Sequence, residues 1–276
     1  MIHHRIADFT DAYANTKYIA GGDRYPALWA ERAASWREKA SGRFIILRKR
    51  AYGPHERNHY DLFLPEGTPR GLVIFVHGGY WMSLDPSFWS HLAEGAVSRG
   101  YAVAMPGYVL CPEVRISDIS RQVAEAISHA AALVEGPIHL SGHSAGGNIV
   151  TRLMAAGSPL PETVQERVAS VLSISGLHDL RPLLATQMNA TLRLDAAEAA
   201  AQSPVLLAPR GRFMLATWAG GAERSEFLRQ SALLSNIWTG FGISTANHVA
   251  PDRHHFNVLD ALEKPESALT RALLSV

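Results

Sequence analysis

The stretch PIHLSGHSAGG, residues 137–147, determines how the rest of the chain is interpreted. Its first half is typical of a buried strand, and NIVTRLMAA (148–156) after it has the composition of a helix. Between them lies GHSAG (142–146), a G-x-S-x-G pattern. A serine on such a tight strand-to-helix turn presents its hydroxyl above a sheet, and the flanking glycines avoid backbone clashes. The pattern predicts that Ser144 is a nucleophile, and the simpler alternative is an ordinary turn.

A second glycine motif, HGGYW (77–81), directly follows an apolar strand-like run. Two adjacent glycines allow main-chain N–H groups to turn towards a substrate oxygen. Gly79 and Tyr80 are the predicted donors, together with the N–H of Ala145, while Gly78 shapes the turn. Such donors stabilise the charge that develops in acyl transfer by ~3 kcal/mol each. Alone, the motif could equally be a turn beside packed aromatic side chains, but paired with the serine turn it indicates an oxyanion hole.

Three late histidines are candidates for the general base that activates Ser144, namely His248, His254 and His255. His255 is favoured because it follows the last predicted strand and precedes the C-terminal helix, where a loop can reach back to the serine. His254 is its neighbour and its rival. His248 lies at the end of a strand, and a structural role is favoured for it.

The acid that orients the base is expected in the loop after the penultimate strand, where Glu223 is the first carboxylate. Glu226 competes with it, although a carboxylate in the first turn of the next helix is also stabilised by the helix dipole. Asp252 is less favoured. Asp179 follows an earlier strand and is expected to cap the segment after it.

Strands and helices alternate from residue 71 onward, which predicts α/β architecture with a doubly wound, mostly parallel sheet. The predicted strands are 72–79, 101–108, 137–147, 168–177, 212–221 and 242–248. The predicted helices are 86–99, 117–135, 148–156, 225–238 and one from about 256. Before them, 44–52 and 59–67 flank the turn signal Gly53-Pro54 and predict an antiparallel pair at one edge.

A single domain over 1–276 is expected, since no linker interrupts the chain. Residues 1–41 form a predicted N-terminal helical segment. Residues 178–208 are too long for an ordinary connection and contain helix formers, so they are predicted to form a small cap inserted over the sheet. Tyr80 and Trp81, beside the predicted oxyanion hole, and Met188 in the cap are the predicted substrate-binding side chains.

Composition narrows the function. The chain has 276 residues, 47% of them hydrophobic, and its 26 basic residues balance 25 acidic ones to a formal net charge of +1. This balance predicts neither nucleic acid nor membrane as a partner. The lone Cys111 excludes an internal disulfide, and with no signal peptide the protein is expected to be cytoplasmic. No metal site or cofactor is predicted, and a homo-oligomer is compatible with the sequence.

The motifs HGGYW, GHSAGG, GGAERSEF and HHFN, in this order, resemble those of the α/β-hydrolase group that contains kynurenine formamidase and small carboxylesterases. The resemblance runs from about residue 59 to the C-terminus. It implies an α/β-hydrolase fold with Ser144 as nucleophile, His255 as base and Glu223 as acid. Asp is the commoner acid in the group, so glutamate is a departure.

The leading hypothesis is therefore a serine hydrolase that cleaves small carboxylic esters or arylformamides through a Ser-His-Glu triad and an acyl-enzyme. Its predicted partner is a small-molecule ester or amide. The alternative is a catalytically silent ligand-binding protein on the same fold, because fold alone does not determine function. Carbon–carbon bond cleavage is a third chemistry, against which the HGGYW motif argues.

Overall fold

The computed structural model describes residues 5–275 and contains an eight-stranded sheet. The first four residues of the predicted N-terminal segment and the last residue of the chain lie outside the described residues. The strands are β1 (Ile45–Ala51), β2 (His59–Leu64), β3 (Leu72–Val76), β4 (Ala102–Pro106), β5 (Ile138–His143), β6 (Val168–Ile174), β7 (Met214–Gly220) and β8 (Ser244–Ala250).

The strand order is β1-β2-β4-β3-β5-β6-β7-β8. β1 and β2 pair antiparallel, with Ile45 opposite Leu64, and β2 pairs antiparallel with β4. Every other pairing among these strands is parallel. The predicted doubly wound sheet with an antiparallel edge is confirmed. Its topology brings the carboxyl ends of β3, β5, β7 and β8 to one edge, where loops that carry chemistry commonly meet.

Helices cover both faces of the sheet. They are α1 (Phe9–Ala12), α2 (Tyr25–Ala40), α3 (Glu94–Val97), α4 (Ile116–Ala131), α5 (Ala145–Arg152), α6 (Glu162–Gln165), α7 (Asn189–Leu192), α8 (Ala196–Ala201), α9 (Ser225–Thr239) and α10 (Ala268–Leu274). Short 3₁₀ turns lie between several of them.

Strand alternation divides the apolar core into two layers. On β3, Leu72, Ile74 and Val76 pack into one layer, whereas Val73 and Phe75 pack into the other. Successive side chains of a strand point to opposite faces, so a strand covered on both sides is apolar throughout. This explains why the β3 sequence shows a continuous apolar run rather than an alternating one.

The helical N-terminal segment is shorter and more broken than predicted. Gly21 adopts a left-handed conformation with φ of 64°, and a side chain at Gly22 would collide with the carbonyl oxygen of Thr16. The chain therefore turns before α2 begins, and residues 8–24 form a short helix and two 3₁₀ turns instead of a continuous helix.

Two other predicted helices are also interrupted. Residues 86–93 form 3₁₀ turns, and only Glu94–Val97 is α-helical. The predicted C-terminal helix starts later than expected, at Ala268, after a 3₁₀ turn at Asp260–Glu263. Pro265 lies between the two and cannot donate a helical hydrogen bond.

Residues 178–208, the predicted cap, contain α7, α8 and two 3₁₀ turns. Much of this segment packs beside α4 and α5: Gln202 accepts a hydrogen bond from Ser120, and its carbonyl accepts one from Asn148. Within residues 5–275, no helix is long and apolar enough to cross a membrane.

Candidate active site

Ser144 lies at the turn between β5 and α5, with φ of 56° and ψ of −116°. Such a conformation costs a non-glycine residue roughly 1–3 kcal/mol and persists only where the surroundings impose it. They do so here, since a side chain at Gly142 would collide with the carbonyl of Gly146, and one at Gly146 with the carbonyl of Val76. The turn is thus too crowded for any residue but glycine at these two positions.

His255 and Glu223 meet at the same edge of the sheet. The two atoms His255 Nδ1 and Glu223 Oε2 are 2.7 Å apart, and the side chains are 3% and 0% exposed. Glu223 follows β7 and His255 follows β8, two neighbouring parallel strands, so their loops emerge side by side. A buried carboxylate on Nδ1 fixes the tautomer of the imidazole and leaves Nε2 free to accept a proton.

The second oxygen of Glu223 is also held. Its Oε1 accepts a hydrogen bond from the main-chain N–H of Gly220 at 2.7 Å and one from the hydroxyl of Ser175 at 2.5 Å. Ser175 was not predicted as part of the site. Its position directly after β6, the strand next to β7, is the signal that could have indicated it.

The competing histidines have other neighbours. His254 Nε2 lies 3.0 Å from the hydroxyl of Tyr25 in α2. His248 stacks on Trp218 at a ring-centroid distance of 3.7 Å. Of the three candidates, the structure brings only His255 to the carboxylate of Glu223.

The competing carboxylates are engaged elsewhere. Glu226 accepts hydrogen bonds from the hydroxyl of Tyr13 at 2.8 Å and from Arg229 at 2.6 Å. Asp179 forms an ion pair with Arg181 at 2.8 Å. Neither carboxylate contacts His255, and both are accounted for by these structural interactions.

The HGGYW motif forms a loop against the serine turn. A side chain at Gly78 would lie 3.0 Å from the Cβ of Ser144, so the loop and the turn are in direct contact. Gly79 has φ of 108° and Tyr80 has φ of 51°. Among the described residues, no acceptor receives a hydrogen bond from the main-chain N–H groups of Gly79, Tyr80 or Ala145. They remain available for a ligand oxygen.

His143, next to Ser144 in the chain, is hydrogen-bonded to the main chain of His255. It is fully buried, and its Nε2 donates a hydrogen bond to the main-chain carbonyl of His255 at 2.9 Å. Burial, and secondarily the neighbouring His255, hold the pKa of His143 well below its usual value. A neutral His143 can still donate this hydrogen bond, and it places no positive charge next to the His255 ring. The GHSAG motif indicates that His143 lies next to Ser144, but it does not indicate this hydrogen bond to His255.

These groups open into a cavity of about 480 Å³. Ser144, His255, Gly79, Tyr80 and Met188 all line it. The Ser144 hydroxyl donates no hydrogen bond to His255 among the described residues, and such bonds often tighten only when substrate binds.

The prediction that Trp81 binds substrate is wrong. Its side chain is 0% exposed, lies in the apolar core and is not part of the cavity wall. The φ of Trp81 is 59°, so the chain turns sharply after Tyr80 and the two neighbouring side chains take different directions.

The N-terminal segment supplies most of the opposite wall of the cavity. Its contributing residues, here called the N-terminal roof, are Thr10, Tyr13, Ala14, Asn15, Thr16, Lys17, Pro26 and Trp29. From residues 178–208 only Met188 reaches the cavity. The predicted cap therefore has a smaller part in enclosing the site than the segment before β1.

Within residues 5–275 no group of three or more His, Cys, Asp or Glu side chains is arranged to hold a metal ion.

Comparison with known proteins agrees with this architecture. Residues 73–272 match the family described as Alpha/beta hydrolase family. A crystal structure of a provisionally assigned thioesterase from Silicibacter sp. TM1040 is 48% identical, covers 96% of this chain and 98% of its own, and has a TM-score of 0.91. Kynurenine formamidase from Salmo salar is 27% identical over 254 residues, which are 87% of this chain and 84% of that protein. Esterase B from Lactobacillus rhamnosis, 18% identical with a TM-score of 0.64, covers 90% of this chain and 94% of its own and shares the fold.

Because the family match spans the sheet from β3 onward and includes the serine turn, the chain belongs to the α/β-hydrolase family. Within that family it is a hydrolase of the group that contains kynurenine formamidases and esterases.

Proposed function

We propose that the protein is a serine hydrolase of small carboxylic esters and arylformamides, with Ser144, His255 and Glu223 as its catalytic triad. The observation that carries the proposal is the 2.7 Å contact between His255 Nδ1 and the buried carboxylate of Glu223, since His255 and the strained Ser144 line the same cavity. Burial of a carboxylate is costly unless it is hydrogen-bonded, and the groups that bind Glu223 here include the imidazole of His255, which lines the cavity together with Ser144.

In the proposed mechanism, the Ser144 hydroxyl oxygen attacks the substrate carbonyl carbon while His255 Nε2 accepts the hydroxyl proton. The N–H groups of Gly79, Tyr80 and Ala145 donate hydrogen bonds to the carbonyl oxygen and stabilise the negative charge that forms on it. The tetrahedral intermediate collapses to an acyl-enzyme, and His255 delivers the proton to the departing alcohol or amine. Water, deprotonated by His255, then releases the acid and regenerates Ser144.

The cavity supports substrates without charge. Apart from its histidines, Lys17 is the one ionisable basic side chain among the described residues that line it, and its ammonium group already lies 3.1 Å from Asp11. Trp29, Trp89 and Phe256 provide aromatic surface. A charged group placed there would lose its hydration without gaining a partner, whereas an aryl leaving group would find favourable contacts.

Labelling with a fluorophosphonate tests the proposal, with Ser144→Ala as the matched control. The parent protein should be modified once, on the peptide that contains Ser144, and Ser144→Ala should remain unlabelled. Hydrolysis of p-nitrophenyl acetate and of an uncharged arylformamide such as formanilide should be lost in proportion to labelling. A parent protein that binds aryl esters but is neither labelled nor active would instead be a ligand-binding member of the fold.

A further inference from the structure

The HGGYW loop contains two consecutive non-glycine residues in the left-handed region. Tyr80 has φ of 51° and Trp81 has φ of 59°. Each such residue is disfavoured by contact between its Cβ and its own backbone, so the surrounding structure must hold both in place. Because the N–H of Tyr80 belongs to this strained stretch, the contacts that hold the loop in place also set the direction of that N–H group.

One anchor of the loop lies in the core. The main-chain carbonyl of Trp81 accepts a hydrogen bond from the N–H of Cys111 at 2.8 Å, and the indole is fully buried. This anchor fixes the end of the loop farther from Ser144.

The other anchor comes from the N-terminal roof. The hydroxyl of Tyr80 donates a hydrogen bond to the main-chain carbonyl of Tyr13 at 2.5 Å and accepts one from the side chain of Asn15 at 3.3 Å. Burial, with a smaller contribution from the charge of Glu223, raises the pKa of Tyr80, so its hydroxyl keeps the proton that it donates.

Tyr13 is itself fixed from the opposite side of the site. It is 1% exposed, and its hydroxyl donates to Glu226 at 2.8 Å and accepts from Gln230 at 3.2 Å. Glu226 lies in the first turn of α9, three residues after Glu223. A continuous chain of hydrogen bonds, buried at Tyr13 and partly buried at Tyr80, thus joins the start of α9, close to Glu223, to the HGGYW loop.

We infer that Tyr80 and Tyr13 are positioning residues, which through the chain Tyr80–Tyr13–Glu226 hold the main-chain donors of the oxyanion hole in register with the triad. The catalytic part of this inference rests on the proposed function. A donor displaced from the developing oxyanion weakens the transition state more than the ground state, so the loss should fall on kcat rather than on KM.

Tyr80→Phe tests the inference, because it keeps the aromatic ring and removes only the hydroxyl. Tyr18→Phe is the matched control: it removes a tyrosine hydroxyl from the N-terminal segment, one that donates to Asp11 at 2.6 Å and takes no part in the chain. With p-nitrophenyl acetate, Tyr80→Phe should lower kcat by about tenfold or more with KM within about twofold, by the effect expected of a misplaced donor. The affinity for a trifluoromethyl ketone, which forms a tetrahedral adduct, should fall by a similar factor. Tyr18→Phe should change none of these quantities by more than about twofold.

Hydrogen exchange provides a readout that does not depend on turnover. Amides in residues 78–84 should exchange faster in Tyr80→Phe than in the parent and in Tyr18→Phe. Parent-like exchange would overturn the inference, as would faster exchange with unchanged kcat or a rise in KM alone. If the parent protein itself proves inactive, the proposed function fails, while the exchange measurement still decides whether the roof holds the loop.

Discussion

His255 and its neighbour His254 show how one position in a sequence changes the chemistry available to a side chain. His255 is buried against Glu223 and Phe227, whereas His254 turns towards Tyr25 in α2. Burial, opposed by the charges of Asp260 and Glu223, lowers the pKa of His254, so it is a neutral partner for that tyrosine near pH 7. His255 thus lines the same cavity as Ser144, whereas His254 contacts the N-terminal segment.

Replacing each of these histidines by alanine separates the two roles. His255→Ala should reduce kcat/KM for p-nitrophenyl acetate by about 10⁴-fold or more, as expected when a triad base is lost. His254→Ala should retain activity within about tenfold, because it loses only two hydrogen bonds of the ring, one with the hydroxyl of Tyr25 and one from the main-chain N–H of Phe256. Steady-state kinetics of the two variants distinguish the two histidines. If His254→Ala were the less active variant, His254 rather than His255 would be the base.

Glu223 should be as sensitive to a change of charge as to removal. Glu223→Gln keeps the size of the side chain, but its amide can present a donor to Nδ1 and favour the wrong imidazole tautomer, so kcat should fall by about 10²–10⁴-fold. Asp252→Asn is the control. It removes the charge of an exposed carboxylate in the neighbouring loop and should leave kcat unchanged. Equal activities in the two variants would remove Glu223 from the triad.

The strands and the serine turn were predictable from the sequence, and the N-terminal roof was not. Periodicity and glycine spacing reflect local sterics, which is why β3, β5 and the turn at Ser144 lie where the patterns indicate. The break at Gly21-Gly22 instead depends on a contact with Thr16, and the fit of Tyr13 between Tyr80 and Glu226 depends on residues far apart in the chain. Tertiary contacts of that kind leave no periodic signal.

The same limit explains Trp81 and the predicted cap. The HGGYW motif predicts that the Trp81 side chain lies near the reacting carbon of the substrate. In the structure, however, the backbone at Trp81 is left-handed and the indole is buried in the core. The length of 178–208 indicates an insertion without indicating which surface it covers, and only Met188 extends to the cavity.

Adding one methyl group at Gly78 tests whether close contact between the HGGYW loop and the serine turn is needed for activity. In Gly78→Ala the new Cβ would lie 2.9 Å from the carbonyl oxygen of His143 and 3.0 Å from the Cβ of Ser144, so the loop must move away from the serine. We expect kcat to fall by about 10²-fold or more, as when an oxyanion donor is lost.

The control for this variant is Gly240→Ala at the end of α9, where the new Cβ meets its nearest atom at 3.2 Å and the backbone is helical. It should retain parent kinetics, and thermal unfolding should show that both variants are folded. A Gly78→Ala protein with the parent kcat would show that the loop does not carry the oxyanion hole.

Buried histidines make the folded protein sensitive to acid. Burial lowers the pKa of His77 and His139 to about 4 and that of His91 and His178 to about 3, and it also holds the pKa of His143 well below its usual value. In the unfolded chain each has a pKa near about 6.5. Below that pH the unfolded state binds protons that the folded state does not, so the free energy of unfolding decreases as pH falls from about 6.5 towards about 4.

Urea unfolding at pH 7, 6 and 5 should show this loss, by up to about 1.4 kcal/mol per pH unit for each histidine once the unfolded side chain is protonated. His91→Leu should reduce the proton uptake on unfolding at about pH 5 by about one, because burial keeps this imidazole neutral in the folded protein whereas the unfolded side chain is protonated. Neither ring nitrogen of His91 has a hydrogen-bond partner among the described residues, so the substitution removes no hydrogen bond there. A midpoint that is the same at pH 7 and pH 5 would contradict the assignment of these histidines as neutral.

The proposed function centres on one chemical event, the transfer of an acyl group from the substrate to Ser144. Rapid quenching of the parent protein with p-nitrophenyl acetate, followed by mass spectrometry of its peptides, tests that event most directly. We expect a transient gain of one acetyl group on the Ser144 peptide, formed with the burst of p-nitrophenol and absent from Ser144→Ala. Turnover without any acetylated Ser144, or an acetyl group carried by another residue, would contradict it.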